Sequence, residues 1–282
     1  MSKKIGSILL VLVAVLALNG CDSGVYSAEK RFWHASKAYN ELVKAPEKAT
    51  QVDYQKIIDS FREITIRYPT WPDSAQAQFN IGQLYAMQGN LSKAKDEFGA
   101  ILNDYSQNVD MCANGLFMIT LIYEKEDNWP RAKESLDKIT DSYPNTATAF
   151  QVPIHIAEYY KRRGQNSEAE TTYAAALDKY KKVIKENPKS YGAVMAIDLI
   201  VTCYVDREQW NEALDYLSGL VNDYSDTALA PKALFIEGAI YEQKLSQPNK
   251  AIELYREIIQ KYPKTPFAKT AQKQIKTLNK PQ

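Results

Sequence analysis

The chain has 282 residues, 45% hydrophobic and 24% charged, the proportions of a folded body rather than of a disordered segment. Its net charge of +1 provides no bulk attraction to nucleic acid, so that class of partner is not expected. The charge is unevenly spread: without Lys3 and Lys4 the balance is −1, and since residues 261–282 carry six lysines and no acid, the remainder is −7.

Lys3 and Lys4 precede an apolar run from Ile5 to Leu18, fourteen residues long. That is short for a membrane-spanning helix of about 20 residues and suits an export signal over residues 1–20. The run ends in Leu18-Asn19-Gly20-Cys21, which resembles a bacterial lipobox. The resemblance implies cleavage before Cys21 and acylation (palmitate among the chains) of that cysteine, which would hold the protein to a bacterial envelope membrane facing the periplasm. Several acyl chains on one residue give stable anchoring where one alone is marginal. An uncleaved anchor and an ordinary secreted protein are the alternatives. Asp22 bears on the choice of membrane, because in enteric bacteria an Asp directly after the lipidated Cys tends to retain a lipoprotein in the inner membrane. Residues 21–28 read as the lipidated Cys and a polar tether.

From Ala28 a helix carries Phe32, Ala35, Tyr39 and Leu42 on one side, with Trp33 and His34 beside that stripe, and reads as the capping surface of whatever follows. A loop around residues 45–51 leads to a second helix, Tyr54 to Tyr68, closed by Pro69. The pattern then repeats. A closing Tyr stands at Tyr68, Tyr105, Tyr143, Tyr180, Tyr224 and Tyr262, at successive spacings of 37, 38, 37, 44 and 38 by subtraction. A small residue stands in the second helix at Ala94, Ala132, Ala169, Ala213 and Ala251, replaced by Ile57 in the first copy. Each first helix carries a Tyr, at Tyr85, Tyr123, Tyr160, Tyr204 and Tyr241. In the last copy Ala251, Leu254, Tyr255, Ile258, Ile259 and Tyr262 recur at helical spacing until Pro263 stops them.

Gly82, Tyr85, Gly89, Ala94 and Phe98 in one copy, and Gly238, Tyr241, Ala251, Tyr255 and Pro263 in another, resemble the signature of the tetratricopeptide repeat (TPR). The resemblance implies an all-α, superhelical solenoid of about six helical hairpins over residues 29–282. The repeats fall at about 29–70, 73–107, 110–145, 147–188, 190–226 and 228–263, and residues 264–282 form a C-terminal capping helix. The lipobox, the short tether and the closures Tyr68-Pro69, Tyr143-Pro144 and Tyr262-Pro263 also resemble the BamD-like group, the TPR lipoprotein component of the machinery that assembles outer-membrane β-barrels. That resemblance favours the outer membrane; Asp22 keeps the inner membrane open.

The fourth copy is irregular. Ala169 to Pro188 is nineteen residues where Ala132 to Pro144 is twelve, and the added seven make about two helical turns, so the longer helix is expected to project beyond its neighbours. Residues 161–189 hold eight basic side chains against four acids, and Arg162, Arg163, Lys181, Lys182 and Lys185 form a candidate basic patch; a solvated helix face is the plainer reading. Trp129 and Trp210 recur in phase, which indicates packing at a hairpin turn. Asn128-Trp129-Pro130 reads as a capped helix start, and Pro153 and Pro231 are expected to open first helices similarly. Cys112 and Cys203 lie more than two repeats apart, too far for a disulfide in such a stack, and read as buried thiols. His34 and His155 have no Cys or His at ligand spacing, so no metal is expected.

TPR stacks generally bind partners along their first helices. Stepping from each marker Tyr to the opposite face of the helix gives Phe79, Gln83, Phe117, Leu121, Glu124, Ile154, Glu158, Lys161, Asp198 and Phe235 as groove candidates, suited to a peptide or helix laid along them, with packing against neighbouring helices as the alternative for each. The Lys and Asn pairs with which heat-shock co-chaperones of this family hold a carboxylate are lacking. No phosphate-binding loop, GxSxG or HExxH motif occurs, so neither catalysis, a cofactor nor a small-molecule substrate is expected. The function expected is a membrane-anchored protein–protein interaction scaffold of the envelope, in β-barrel assembly by resemblance. The alternative is a periplasmic tether or chaperone for cell-wall, division or exported proteins at the inner membrane.

Overall fold

A computed structural model describes residues 24–279, which form helices and turns with no strand among them. The leader, Cys21 and Asp22 lie outside the described residues. Helix α1 covers residues 24–44, so it already includes most of the stretch read as a tether. A short 3-10 turn, Pro46–Lys48, leads to α2 (Gln51–Arg67). The N-cap of α2, which starts three residues before the expected Tyr54, is Thr50. Its hydroxyl accepts from the Asp53 amide while the Asp53 carboxylate accepts from the Thr50 amide, a reciprocal cap that satisfies two orphan donors.

The hairpins follow as α3 (Ser74–Met87) with α4 (Leu91–Asp104), α5 (Val109–Lys125) with α6 (Trp129–Ser142), α7 (Ala147–Arg162) with α8 (Asn166–Glu186), α9 (Tyr191–Val205) with α10 (Trp210–Asp223), and α11 (Leu229–Gln243) with α12 (Pro248–Lys261). Helix α13 (Pro266–Leu278) ends the series. The chain divides into two compact units, one ending at Ala149 and one beginning at Phe150. In the first, consecutive helices from α2 to α6 pack on one another and α3 also touches α5. In the second, α8 to α13 pack in the same sequence, α9 touches α11, and α11 touches α13. Within the units α3 thus lies beside α5 and α9 beside α11, the arrangement of tetratricopeptide hairpins, and α13 takes the place of a further first helix beside α11.

The turns explain the regular spacing. Gly89, Asp127, Gly164 and Glu208 each lie four residues after a marker Tyr, and Ser246 lies five after Tyr241; all five have φ between 53° and 79°. Left-handed backbone is free for glycine and costs other residues about 1–2 kcal/mol. Glu208→Gly is therefore expected to raise stability by about 1 kcal/mol in urea unfolding. After the turn, Asn90 and Asn128 cap α4 and α6, each side chain accepting from the amide three residues on at 3.3 Å, with Pro130 in the first turn of α6.

Five of the six closing tyrosines sit at helix C-caps: Tyr68, Tyr105, Tyr143, Tyr224 and Tyr262. The carbonyls of Tyr143, Tyr224 and Tyr262 accept from the hydroxyls of Thr146, Thr227 and Thr265 at 2.8–2.9 Å, which satisfies the exposed chain end. Tyr180 does not close its helix. Helix α8 runs 21 residues against 14 for α4, α6, α10 and α12, and is capped by Asn187; Tyr180 lies inside it, buried, donating to the Phe150 carbonyl at 2.5 Å. The added turns bury Ile184, so instead of projecting freely they pack into the core of the second unit. Pro231 lies in the first turn of α11 as expected, whereas Pro153 is inside α7, as its seventh residue.

Candidate functional site

In the first unit, the first-helix face holds Phe79 and Gln83 on α3 and Phe117, Leu121 and Glu124 on α5. Phe79 is half-buried, its ring centroid 5.2 Å from that of Phe98, and Gln83 accepts from the Tyr39 hydroxyl of α1 at 2.9 Å. Those two are held by their neighbours. Leu121 is 37% exposed, and Phe117 and Glu124 are half-buried. An aromatic, an aliphatic and a carboxylate within two turns of one helix suit the apolar face and charged edge of an amphipathic segment.

The second unit uses the equivalent positions differently. Ile154 is 6% exposed and belongs to the core cluster with Tyr173 and Tyr180, so it is a packing residue and not part of a groove. Asp198 takes a charge-assisted hydrogen bond from Lys232 at 2.6 Å. The Lys232 ammonium also donates to the Val194 carbonyl at 2.8 Å, and its side chain is largely buried, so Asp198 balances a buried charge that sequence reasoning missed. Lys161 donates to the Asp206 carbonyl, and Glu158 lies 3.8 Å from Arg162. Phe235 is wedged between Tyr255 and Phe267, at centroid distances of 5.5 and 5.8 Å. Most of this row therefore clamps one hairpin to the next.

The basic candidates are not brought together. Arg162 and Arg163 sit at the turn between α7 and α8, and Arg163 lies over the Tyr159 ring at 5.4 Å. Lys181, Lys182 and Lys185 lie at the far end of α8, about 25 Å away at 1.5 Å per residue. Lys181 lies over the rings of Tyr216 and Tyr204, at 5.2 and 5.8 Å, and donates to the Tyr204 hydroxyl at 3.2 Å; Lys182 pairs with Glu186 at 3.7 Å.

Cys112 and Cys203 are free and buried, and burial pushes both thiols up, Cys203 to about 12, so neither forms a thiolate readily. Trp210 packs at its hairpin turn with Lys244 over its ring at 5.4 Å, as its phase predicts. Among the described residues no group of three His, Cys, Asp or Glu could hold a metal ion, and no helix is long and apolar enough to cross a membrane.

One feature escaped sequence reasoning. Between α1 and α2 lies an open pocket of about 680 Å³, lined by Arg31, His34, Ala35, Ala38, Leu42 and Ile57 among others. Alanines at 35, 38, 45 and 49 were the available signal, since small side chains there leave the two helices incompletely packed.

The tetratricopeptide-repeat profile matches residues 76–108, 115–146 and 232–265, which correspond to α3 with α4, most of α5 with α6, and α11 with α12. No curated protein matches the chain in sequence. Among solved structures, the chain is similar to a human IFIT1 dimer with m7Gppp-AAAA, at 14% identity and a TM-score of 0.41 over 86% of this chain and 52% of that one. It thus spans about half the length of that relative. A tetratricopeptide repeat protein from Parabacteroides merdae is similar at 15% identity and a TM-score of 0.33, over 86% of this chain and all of that one. Pseudomonas aeruginosa pilF is similar at 12% identity and a TM-score of 0.37, over 86% and 98% of the two chains.

Proposed function

From a chain that carries tetratricopeptide repeats, we infer a membrane-anchored scaffold for protein–protein contacts in a bacterial cell envelope. The repeat fold is typically a non-enzymatic interaction scaffold. The observation that carries the reading here is the α5 face, where Leu121 is exposed and Phe117 and Glu124 beside it are half-buried. Anchoring is supported by the Leu18-Asn19-Gly20-Cys21 sequence after an export-type leader.

The finer reading takes the partner to be a subunit or substrate of the β-barrel assembly machinery, at the outer membrane. It is supported by the resemblance of the lipobox and the Tyr-Pro closures to the BamD-like group. Asp22 favours a second reading, a tether or chaperone for wall, division or exported proteins at the inner membrane.

In-cell photo-crosslinking from position 117 and, separately, from position 182 tests these readings. Position 117 is expected to capture a protein and position 182, on the paired and solvated end of α8, to capture little. A barrel-assembly subunit or an unfolded barrel protein as the adduct supports the finer reading, and wall or division proteins support the second. No adduct from either position overturns the scaffold on this face. Leu121→Asp is expected to reduce capture about tenfold, as burying a charge at an apolar contact does.

A further inference from the structure

Tyr26, Lys30, Trp33, Lys37 and Lys44 follow one another along α1 at steps of four, three, four and seven residues. Those steps put all five on one side of a helix. All are exposed, Tyr26 by 66% and Trp33 by 58%, and Val25 and Val43 beside them are exposed as well. Glu29 and Glu41 stand exposed at the margins of the stripe, and the opposite side of α1 is already committed. Phe32 and Tyr39 meet Phe61 edge-on at centroid distances of 5.9 and 6.3 Å, while Arg31 reaches Glu63 of α2 at 2.8 Å. Lys37 lies over the Trp33 ring at 5.7 Å, so aromatic and ammonium groups form one continuous surface.

We propose that this stripe rests on an anionic lipid surface, with the Tyr26 and Trp33 rings at headgroup depth and Lys30, Lys37 and Lys44 against lipid phosphates. Rings with a polar edge and lysines with long apolar stems are the side chains that an interface accommodates best. A partner helix fits less well: a lysine separates Tyr26 from Trp33 and others follow, so a protein seam would have to desolvate each ammonium. Position in the chain points the same way. Gly24, where the described residues begin, is three residues after Cys21. At no more than ~3.5 Å per residue, an acyl group there keeps Tyr26 within about 18 Å of the headgroups, where even a weak contact is nearly saturated. This last step rests on the anchoring at Cys21 proposed above.

The test uses the chain from residue 21 with Cys21→Ser, which keeps every described residue and carries no acyl group. It is floated with phosphatidylcholine vesicles and with the same vesicles containing about one third phosphatidylglycerol. Recovery on the anionic vesicles is expected to exceed that on the neutral ones by at least about tenfold at low salt, each lysine contributing up to about fivefold. The triple variant Lys30→Gln, Lys37→Gln, Lys44→Gln removes that difference, Trp33→Ala lowers recovery on both, and Val52→Ala, exposed on α2, changes neither; circular dichroism checks that each variant is folded. Recovery indifferent to lipid charge, or unmoved by the stripe variants, overturns the proposal. So does sedimentation that shows a dimer which Trp33→Ala dissociates, since a second copy would then cover the stripe. Labelling of the full-length chain with an alkyne fatty acid, abolished by Cys21→Ser, tests the anchor separately. Labelling without flotation removes the stripe and leaves the anchor; flotation without labelling does the reverse.

Discussion

Gly82→Ala lowers the stability of the first unit by about 1–3 kcal/mol, even though alanine is the better helix former. A Cβ at Gly82 would stand 2.6 Å from Phe98 Cε1 and within 2.9 Å of two further ring atoms. Phe98 is fully buried and faces Phe79 at 5.2 Å, so its ring has no free space to turn into. Gly238 repeats the arrangement, its Cβ position 2.5 Å from Tyr255 Cε1. Sequence spacing shows how other copies avoid the clash: at the 16-residue offset of Gly82 and Phe98, Thr120 is matched with Leu136 and Val201 with Leu217. Ala157 is matched with Tyr173 in the fourth copy, the one whose second helix is lengthened. Phe98→Leu should therefore relieve Gly82→Ala. In a urea-unfolding double-mutant cycle the pair is expected to cost at least about 1 kcal/mol less than the sum of the single changes. Strict additivity would mean that the glycine answers to something other than the ring.

The second large effect is a pH dependence in the second unit. Glu237 on α11 is 6% exposed, and burial, reinforced by the charge of Glu257, raises its carboxyl to about 7 from the ordinary 4.5. The folded state then binds a proton that the unfolded state releases between those values. This contribution is fully present below pH 4.5, is lost as pH rises towards 7, and is gone above it. Allowing for solvent screening, the loss is about 2 kcal/mol. Glu237→Gln keeps the shape and removes the titration, so urea unfolding at pH 8 should find the variant more stable than the parent by about that amount, and at pH 4.5 the two should be nearly equal. A parent stability that is flat between pH 4.5 and 7, with no gain for the variant at pH 8, would mean that Glu237 keeps its charge at little cost.

The hairpins were legible because the markers that define them have one physical job each. A tyrosine at a C-cap, a small residue where two helices approach, and an aromatic opposite a glycine recur in phase because the same contacts recur. Tyr180 shows where such reading stops. It keeps the eleven-residue distance from Ala169 that Tyr143 keeps from Ala132, yet the helix runs on to Asn187, because nothing in that distance says whether the backbone ends or continues. Ile154 fails for a related reason: periodicity gives an angle around a helix, but burial depends on what stands opposite, and opposite Ile154 stands a core that includes Tyr173 and Tyr180. Asp198 is legible as a face residue while its partner Lys232, 34 positions away, is not, since no local pattern links them. The α1 stripe is readable in principle, as Tyr26, Lys30, Trp33, Lys37 and Lys44 are regularly spaced; a terminal helix is simply expected to be polar on its outer side, and that expectation hides the rings.

The packing of helices on their immediate or next-but-one neighbours along the chain has a kinetic consequence. Every helix pair in contact closes a loop of a few tens of residues at most, so little chain entropy opposes each pairing, and the separation between contacting residues is small compared with the length of the chain. Such topologies form on the millisecond scale or faster, roughly, and a folding nucleus can arise at whichever hairpin is locally most stable. The short, closely packed pair α3 with α4, whose second helix is capped by Asn90, offers one such starting point in the first unit, and α11 with α12 another in the second. A chain that emerges one end first, as it does during synthesis, is then able to fold each hairpin as soon as its two helices have appeared.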